Sequence, residues 1–196
     1  AAGFAEILAG SPGAINDLGQ IVGQGGISGV PPVQRAYLRE PDGTIIDLPV
    51  LGRTNFATGI NNLGQIVGYR QNPPISPGLG FLYSDGSLTT IHVANADGTR
   101  PYGINNAGYI VGAYYDLAGD RPHGFLYQSG IFSTLDVPGA DATYARGIND
   151  SGDIVGHFEI YGVGTHGFLY KNGGLSRIDV AGASTTLVLA INDNGQ

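Results

Sequence analysis

The chain has 196 residues, 42% of them hydrophobic, with a net charge of −7 and a pI near 4.7. Nine Lys and Arg, unclustered against sixteen Asp and Glu, exclude a nucleic-acid surface. The same balance speaks against an anionic membrane surface, and no apolar run reaches the roughly 18 residues of a spanning helix, so no membrane insertion is expected. Cysteine is absent, which removes disulfides, thiolate metal sites and a cysteine nucleophile.

The chain opens on Ala1, Ala2, Gly3, Phe4, Ala5, Glu6, Ile7 and Leu8, a run that resembles the stretch starting at Ile110-Val111-Gly112. It carries no initiator Met, as expected of a processed or trimmed secreted protein. Next comes Ile15-Asn16-Asp17-Leu18-Gly19, the first of five Ile-Asn-(Asn/Asp)-x-Gly motifs. Their isoleucines are Ile15, Ile60, Ile104, Ile148 and Ile191, at steps of 45, 44, 44 and 43 residues. Such a period marks a repeat architecture whose units bury their apolar faces against neighbours.

Within a unit the Asn motif reads as a hairpin loop, because Asn hydrogen-bonds nearby backbone and Gly supplies a positive φ. An Ile-Val-Gly strand follows, with Gly23, Gly68, Gly112 and Gly156 placed for close approach of a neighbouring backbone. After a variable stretch comes Gly-Phe-Leu-Tyr (Gly80, Gly124 and Gly167 lead it), then a two-residue turn: Asp42-Gly43, Asp85-Gly86, Ser129-Gly130 or Asn172-Gly173. A last strand leads into the next Asn turn.

The pattern predicts an all-β fold, a β-propeller-like repeat array of four-stranded antiparallel blades, with four blades or an incomplete fifth. It predicts a single repeat domain over 1–196, with units starting near 14, 59, 103 and 147 and a partial fifth from 190. Residues 1–13 then form a terminal strand that completes a blade either within the chain or in a neighbouring molecule.

The residues resemble bacterial extracellular repeat proteins of the HAF type. Gly59 to Gly68, Gly103 to Gly112 and Gly147 to Gly156 match their Gly-Ile-Asn-(Asn/Asp)-x-Gly-x-(Ile/Val)-Val-Gly element. His123-Gly124-Phe125-Leu126-Tyr127 and His166-Gly167-Phe168-Leu169-Tyr170 match their His-Ala-Phe-Leu-Tyr element, with Gly for the Ala and Arg35 or Leu79 for the His in the first two units. The resemblance implies secretion or cell-surface display and carries over no catalytic residue.

His123 and His166 are repeat-equivalent and read as strand-capping residues that bond backbone, rather than as metal ligands. Asp47, Asp136 and Asp179 share one position, held by His92 in the second unit, and read as acceptors for backbone N–H groups. No metal and no cofactor is expected, and no enzyme: the chain has no Gly-x-Ser-x-Gly, Walker, His-Glu-x-x-His or dinucleotide fingerprint.

The variable stretches 24–34, 69–79, 113–123 and 157–166 are where binding diversity belongs. There Tyr69, Tyr114, Tyr115, Phe158 and Tyr161 are candidates to stack on sugars, with Arg70, Asp116, Arg121 and Glu159 as hydrogen-bonding partners; packing between blades is the competing role. Asn149-Asp150-Ser151 is a glycosylation acceptor pattern in an expected surface turn. The leading functional expectation is a non-catalytic structural or adhesive protein that self-associates into filaments by terminal-strand exchange. The alternative is a lectin-like propeller binding an extracellular glycan, and a glycan-degrading enzyme comes third.

Overall fold

The computed structural model describes residues 10–26, 34–49, 54–71, 78–117 and 121–196. The terminal strand expected over residues 1–8 lies outside these. The described residues hold no helix and form sixteen strands in four antiparallel meanders. Blade 1 is β1 (Ser11–Ile15), β2 (Ile21–Gly26), β3 (Gln34–Arg39) and β4 (Ile45–Asp47). Blade 2 is β5 (Thr54–Ile60), β6 (Ile66–Gln71), β7 (Leu79–Ser84) and β8 (Ser87–Ile91). Blade 3 is β9 (Gly98–Ile104), β10 (Ile110–Tyr115), β11 (Pro122–Gln128) and β12 (Ile131–Thr134). Blade 4 is β13 (Ala142–Ile148), β14 (Ile154–Ile160), β15 (Gly164–Lys171) and β16 (Gly174–Ile178).

Each blade starts with the strand that leads into an Asn turn, and those first strands lie side by side as the inner edge of the array. A parallel pairing of Gln34 with Thr54 links blades 1 and 2. The all-β, propeller-like arrangement expected from the repeat is what the chain forms.

The two sequence motifs meet across β-ladders. Gly68, Gly112 and Gly156 stand opposite Phe81, Phe125 and Phe168 on the next strand. A β-carbon at Gly68 would lie 1.9 Å from the Phe56 carbonyl oxygen and 2.7 Å from the Phe81 ring. The glycine thus makes room for a neighbouring carbonyl and a buried phenyl ring at once. Beside it the first strand carries a β-bulge, which leaves Thr58, Tyr102 and Arg146 as the extra residues in blades 2, 3 and 4.

Packing between blades explains the Gly of the second motif. At Gly124 a β-carbon would meet the Leu135 carbonyl at 2.3 Å and Thr143 of the following blade at 3.1 Å. An alanine has no space there, so Gly stands where the HAF-type element has Ala. The cores form layers between successive blades: Val22, Ala57, Ile66 and Phe81, then Val67, Ile104, Ile110 and Phe125, then Val111, Ala145, Ile154 and Phe168. Burying each such phenyl ring stabilises the fold by about 2–3 kcal/mol.

Turns follow residue type. Asp85-Gly86, Ser129-Gly130 and Asn172-Gly173 have positive φ at both residues, as the two-residue hairpin requires. The first unit is a correction. Pro41 cannot take a positive φ, so Asp42-Gly43 sits in a wider loop in which Gly43 donates to the Glu40 carbonyl and Glu40 to that of Thr44. The variable stretches also differ from plain loops, since much of each continues β2, β6, β10 and β14; in blade 4 residues 161–163 alone join β14 to β15.

Candidate functional site

Two features stand out along the inner strands, one at each end. At the Asn-turn end the five turns surround one hollow of about 250 Å³, lined by Ile15 to Asp17, Ile60 to Asn62 and their repeats as far as Asp193. Each turn is closed by its own Asn: Asn105 Oδ1 accepts from the Ala107 and Tyr109 amides at 3.1 and 2.9 Å. The same side chains tie blade to blade. Asn16, Asn61, Asn105 and Asn149 each donate from Nδ2 to the carbonyl of the equivalent Asn in the next unit, at 2.9–3.2 Å. The next residues repeat the pattern: the Asp17, Asn62, Asn106 and Asp150 amides donate to Oδ1 of Asn62, Asn106, Asp150 and Asp193.

This ladder corrects the reading of Asn149 as a glycosylation acceptor. Asn149 is 4% exposed, and its Nδ2, the atom a glycan would need, donates to the Asn192 carbonyl. The short acceptor pattern is the repeat motif itself.

At the opposite end a band of tyrosines and arginines runs from blade 2 to blade 4. Phe56 stacks on Tyr69 with ring centroids 4.7 Å apart. The Arg100 guanidinium lies 5.1 Å from the Tyr69 ring and 4.9 Å from the Tyr115 ring, and donates to Tyr115 Oη at 3.1 Å. Arg146 sits 4.2 Å over the Tyr102 ring and 5.4 Å from Tyr144, which stacks on His157 at 4.7 Å. Burial pushes the phenols of Tyr69 and Tyr115 up, and that of Tyr144 up to about 12, where nearby Glu159 adds to the effect.

His157 is 4% exposed and its Nδ1 has no hydrogen-bond partner among the described residues. Burial and the Arg146 charge hold its pKa down at about 4, so the ring is neutral near pH 7. A base whose folded pKa lies below its unfolded value loses stability as pH falls, because the unfolded chain takes up the proton first. His157→Phe is therefore expected to flatten the stability profile between pH 6.5 and 4, and wild type to lose on the order of 2 kcal/mol across that window. Urea midpoints measured at several pH values check this, and parallel profiles would refute it.

Of the residues expected in the variable stretches, Tyr69, Tyr115 and Glu159 join this band. Phe158 does not: it is buried in the core between blades 3 and 4. Tyr114 stacks on His123 at 5.0 Å, with its hydroxyl 3.0 Å from Thr134. Arg121 pairs with Asp141 at 3.7 Å, while Tyr161 is exposed in the turn after β14 and Asp116 is half-buried beside β10. Arg70 is half-buried on β6. Arg100, Tyr102, Tyr144, Arg146 and His157 were missed by the sequence reading; for Tyr102 and Arg146 the signal lay in the residue before the constant Gly-Ile-Asn, which is Thr58, Tyr102 and Arg146 in successive units.

His123 and His166 are not the backbone caps expected. Each Nδ1 meets the carboxylate of the repeat-equivalent acid just beyond the end of the adjoining strand, His123 with Asp136 at 2.7 Å and His166 with Asp179 at 3.0 Å. Arg35 and Asp47 pair in the same way in blade 1. Asp136 also accepts from the Gly124 amide, as expected of it, at 3.1 Å. Among the described residues no group of three or more His, Asp and Glu gathers as metal ligands would.

No protein-family model and no curated protein matches the sequence. Solved structures do. The chain is similar to the β-propeller domain of the trilobed protease from Pyrococcus furiosus, described as having an open velcro topology, at 14% identity and a TM-score of 0.59, over 89% of this chain and 53% of that one. It is equally similar to acylaminoacyl peptidase from Pyrococcus horikoshii, at 16% identity and a TM-score of 0.59, over 86% of this chain and 26% of that one. At such identities the likeness shows the fold alone, and the chain spans about half and about a quarter of those two proteins. The fold is that of a β-propeller.

Proposed function

We infer that the protein is a non-catalytic structural or adhesive propeller, secreted or displayed on a bacterial surface, whose copies join by sharing a blade. One observation carries the reading: five Asn turns ring a single hollow, yet among the described residues the ladder of bonds runs from the first turn to the fifth and does not close from the fifth to the first. Residues 184–191 lie against blade 4 through the Thr165–Thr185 bridge and a bond from the Thr186 amide to the Thr165 carbonyl. In and beside this segment Val180, Leu187 and Leu189 are exposed. Ile15, in the first turn, is 64% exposed, where Ile60, Ile104 and Ile148 are 7–9% exposed.

The two sides of the gap are complementary. Asn192 and Asp193 present the donor side of the ladder and Asn16 and Asp17 its acceptor side, so a strand and turn from a second copy fit between them. Residues 1–8, with their likeness to a second blade strand, are the segment assigned to fill it. The open velcro described for the Pyrococcus furiosus propeller is a likeness in the same feature. Extracellular placement rests on the HAF-type resemblance.

The test is solution mass and negative-stain imaging of the full chain, of a variant lacking residues 1–8, and of the double variant Leu187→Asp, Leu189→Asp. Assemblies should form in the first alone. A monomeric full chain, or polymers that persist in both variants, would remove the reading. A second reading, a glycan-binding propeller, is favoured by the tyrosine and arginine band.

A further inference from the structure

Arg146 differs from the paired cations of the described residues. Arg35, Arg121, Lys171 and Arg177 are each paired with a carboxylate, and Arg100 donates to Tyr115. Arg146 forms no hydrogen bond or ion pair among the described residues; its Nε is buried without a partner and its charge rests on the Tyr102 and Tyr144 rings. A guanidinium held between aromatic faces keeps its in-plane N–H donors for an acceptor arriving edge-on. Beside it stands a second unpartnered polar atom, His157 Nδ1, in a residue more than nine-tenths buried.

Two guanidinium groups gather here on an acidic molecule. On a chain of net charge −7, Arg100 and Arg146 lie within the same band of rings, with Glu159 the acid near Tyr144. A carboxylate meets a guanidinium fork bidentately, through two oxygens in its plane. The tyrosine faces suit a ring with C–H groups, and Glu159 can accept from a hydroxyl. A sugar that bears a carboxylate has all three features. We propose that Tyr102, Tyr144, Arg146 and Glu159 form a binding site for a uronate-containing glycan, with the sugar carboxylate on Arg146, a pyranose face on Tyr102 and a hydroxyl on Glu159, while Tyr144, stacked on His157, holds the guanidinium in place. This rests on the glycan-binding reading and is independent of assembly, since none of these residues belongs to the Asn ladder.

The experiment measures retention of the full chain on immobilised polygalacturonate, on its methyl ester, on dextran and on poly-L-glutamate. Polygalacturonate alone should retain the protein. Arg146→Gln should weaken retention about tenfold, Arg146→Lys less, because it keeps the charge without the planar fork. Glu159→Ala should also weaken retention on polygalacturonate, since it removes the acceptor for the sugar hydroxyl, and unchanged retention would overturn the role of Glu159. Melting temperature and solution mass verify that the variants fold and assemble as wild type.

Equal retention on the methyl ester or on dextran would overturn the uronate assignment and leave glycan binding standing. Retention on poly-L-glutamate as strong as on polygalacturonate would reduce the site to its charge and overturn the sugar. No retention on any polysaccharide would overturn both readings. Unchanged retention in Arg146→Gln would move the site elsewhere and refute the proposal.

Discussion

Replacing Gly156 by alanine is expected to destabilise the fold by about 3 kcal/mol or more, although a single methyl group is added. The reason is backbone, not flexible side chain. The new β-carbon would lie 1.9 Å from the Tyr144 carbonyl oxygen and 2.8 Å from the Phe168 ring. Relief requires β13 and β14 to part at the bulge or Phe168 to leave a site where it is 1% exposed, and either move opens the layer between blades 3 and 4. Gly162 is the matched control. It has φ +77° but open space around it, so Gly162→Ala should cost about 1 kcal/mol from backbone strain alone. Urea midpoints of the two variants decide the matter; equal losses would mean that the close approach at Gly156 is relieved cheaply.

The second large effect is expected at Asn105. Alanine there removes the donor to the Asn149 carbonyl at 3.0 Å and the acceptor for the Ala107 and Tyr109 amides, in a residue 4% exposed. The Ala107 and Tyr109 amides are left without that acceptor, while the Asn149 carbonyl keeps only the Gly152 amide; three bonds are lost at about 1 kcal/mol each, for a total near 3 kcal/mol. Asn105→Asp is the sharper variant: it keeps the acceptor inside the turn but turns an oxygen toward the Asn149 carbonyl. Its loss isolates the link between blades from the turn itself. The same alanine change at Asn192, exposed and bonded within its own turn to Gln196, should cost under about 1 kcal/mol. If Asn192→Ala proved as damaging as Asn105→Ala, the ladder could not be what ties the blades.

These two sites also show what kind of information a repeat carries. Gly156 and Asn105 were visible as repeated letters, and the sequence located both in a hairpin. Their partners were not visible. That Gly156 faces Phe168, and that Asn105 reaches Asn149, follow from ladder register and from the angle between blades, which bring together residues 12 and 44 positions apart. The same holds for the His–Asp pairs. In the sequence His123 and Asp136, and likewise His166 and Asp179, are separate repeat positions; they pair because β11 and β15 lie beside the segments that follow them.

Sequence by itself determined the all-β class, the four-stranded unit, the hairpin turns and the need for glycine in the second strand. Those properties depend on period, on φ and on alternation, which are local. Tertiary structure alone decided which variable residues face inward, because a bulge of one residue in each first strand sets the direction of Thr58, Tyr102 and Arg146. It also decided that Phe158 is core while Glu159, its neighbour, stands near Tyr144. The band of rings and guanidinium groups is built from residues on three blades, and no spacing along the chain encodes that meeting.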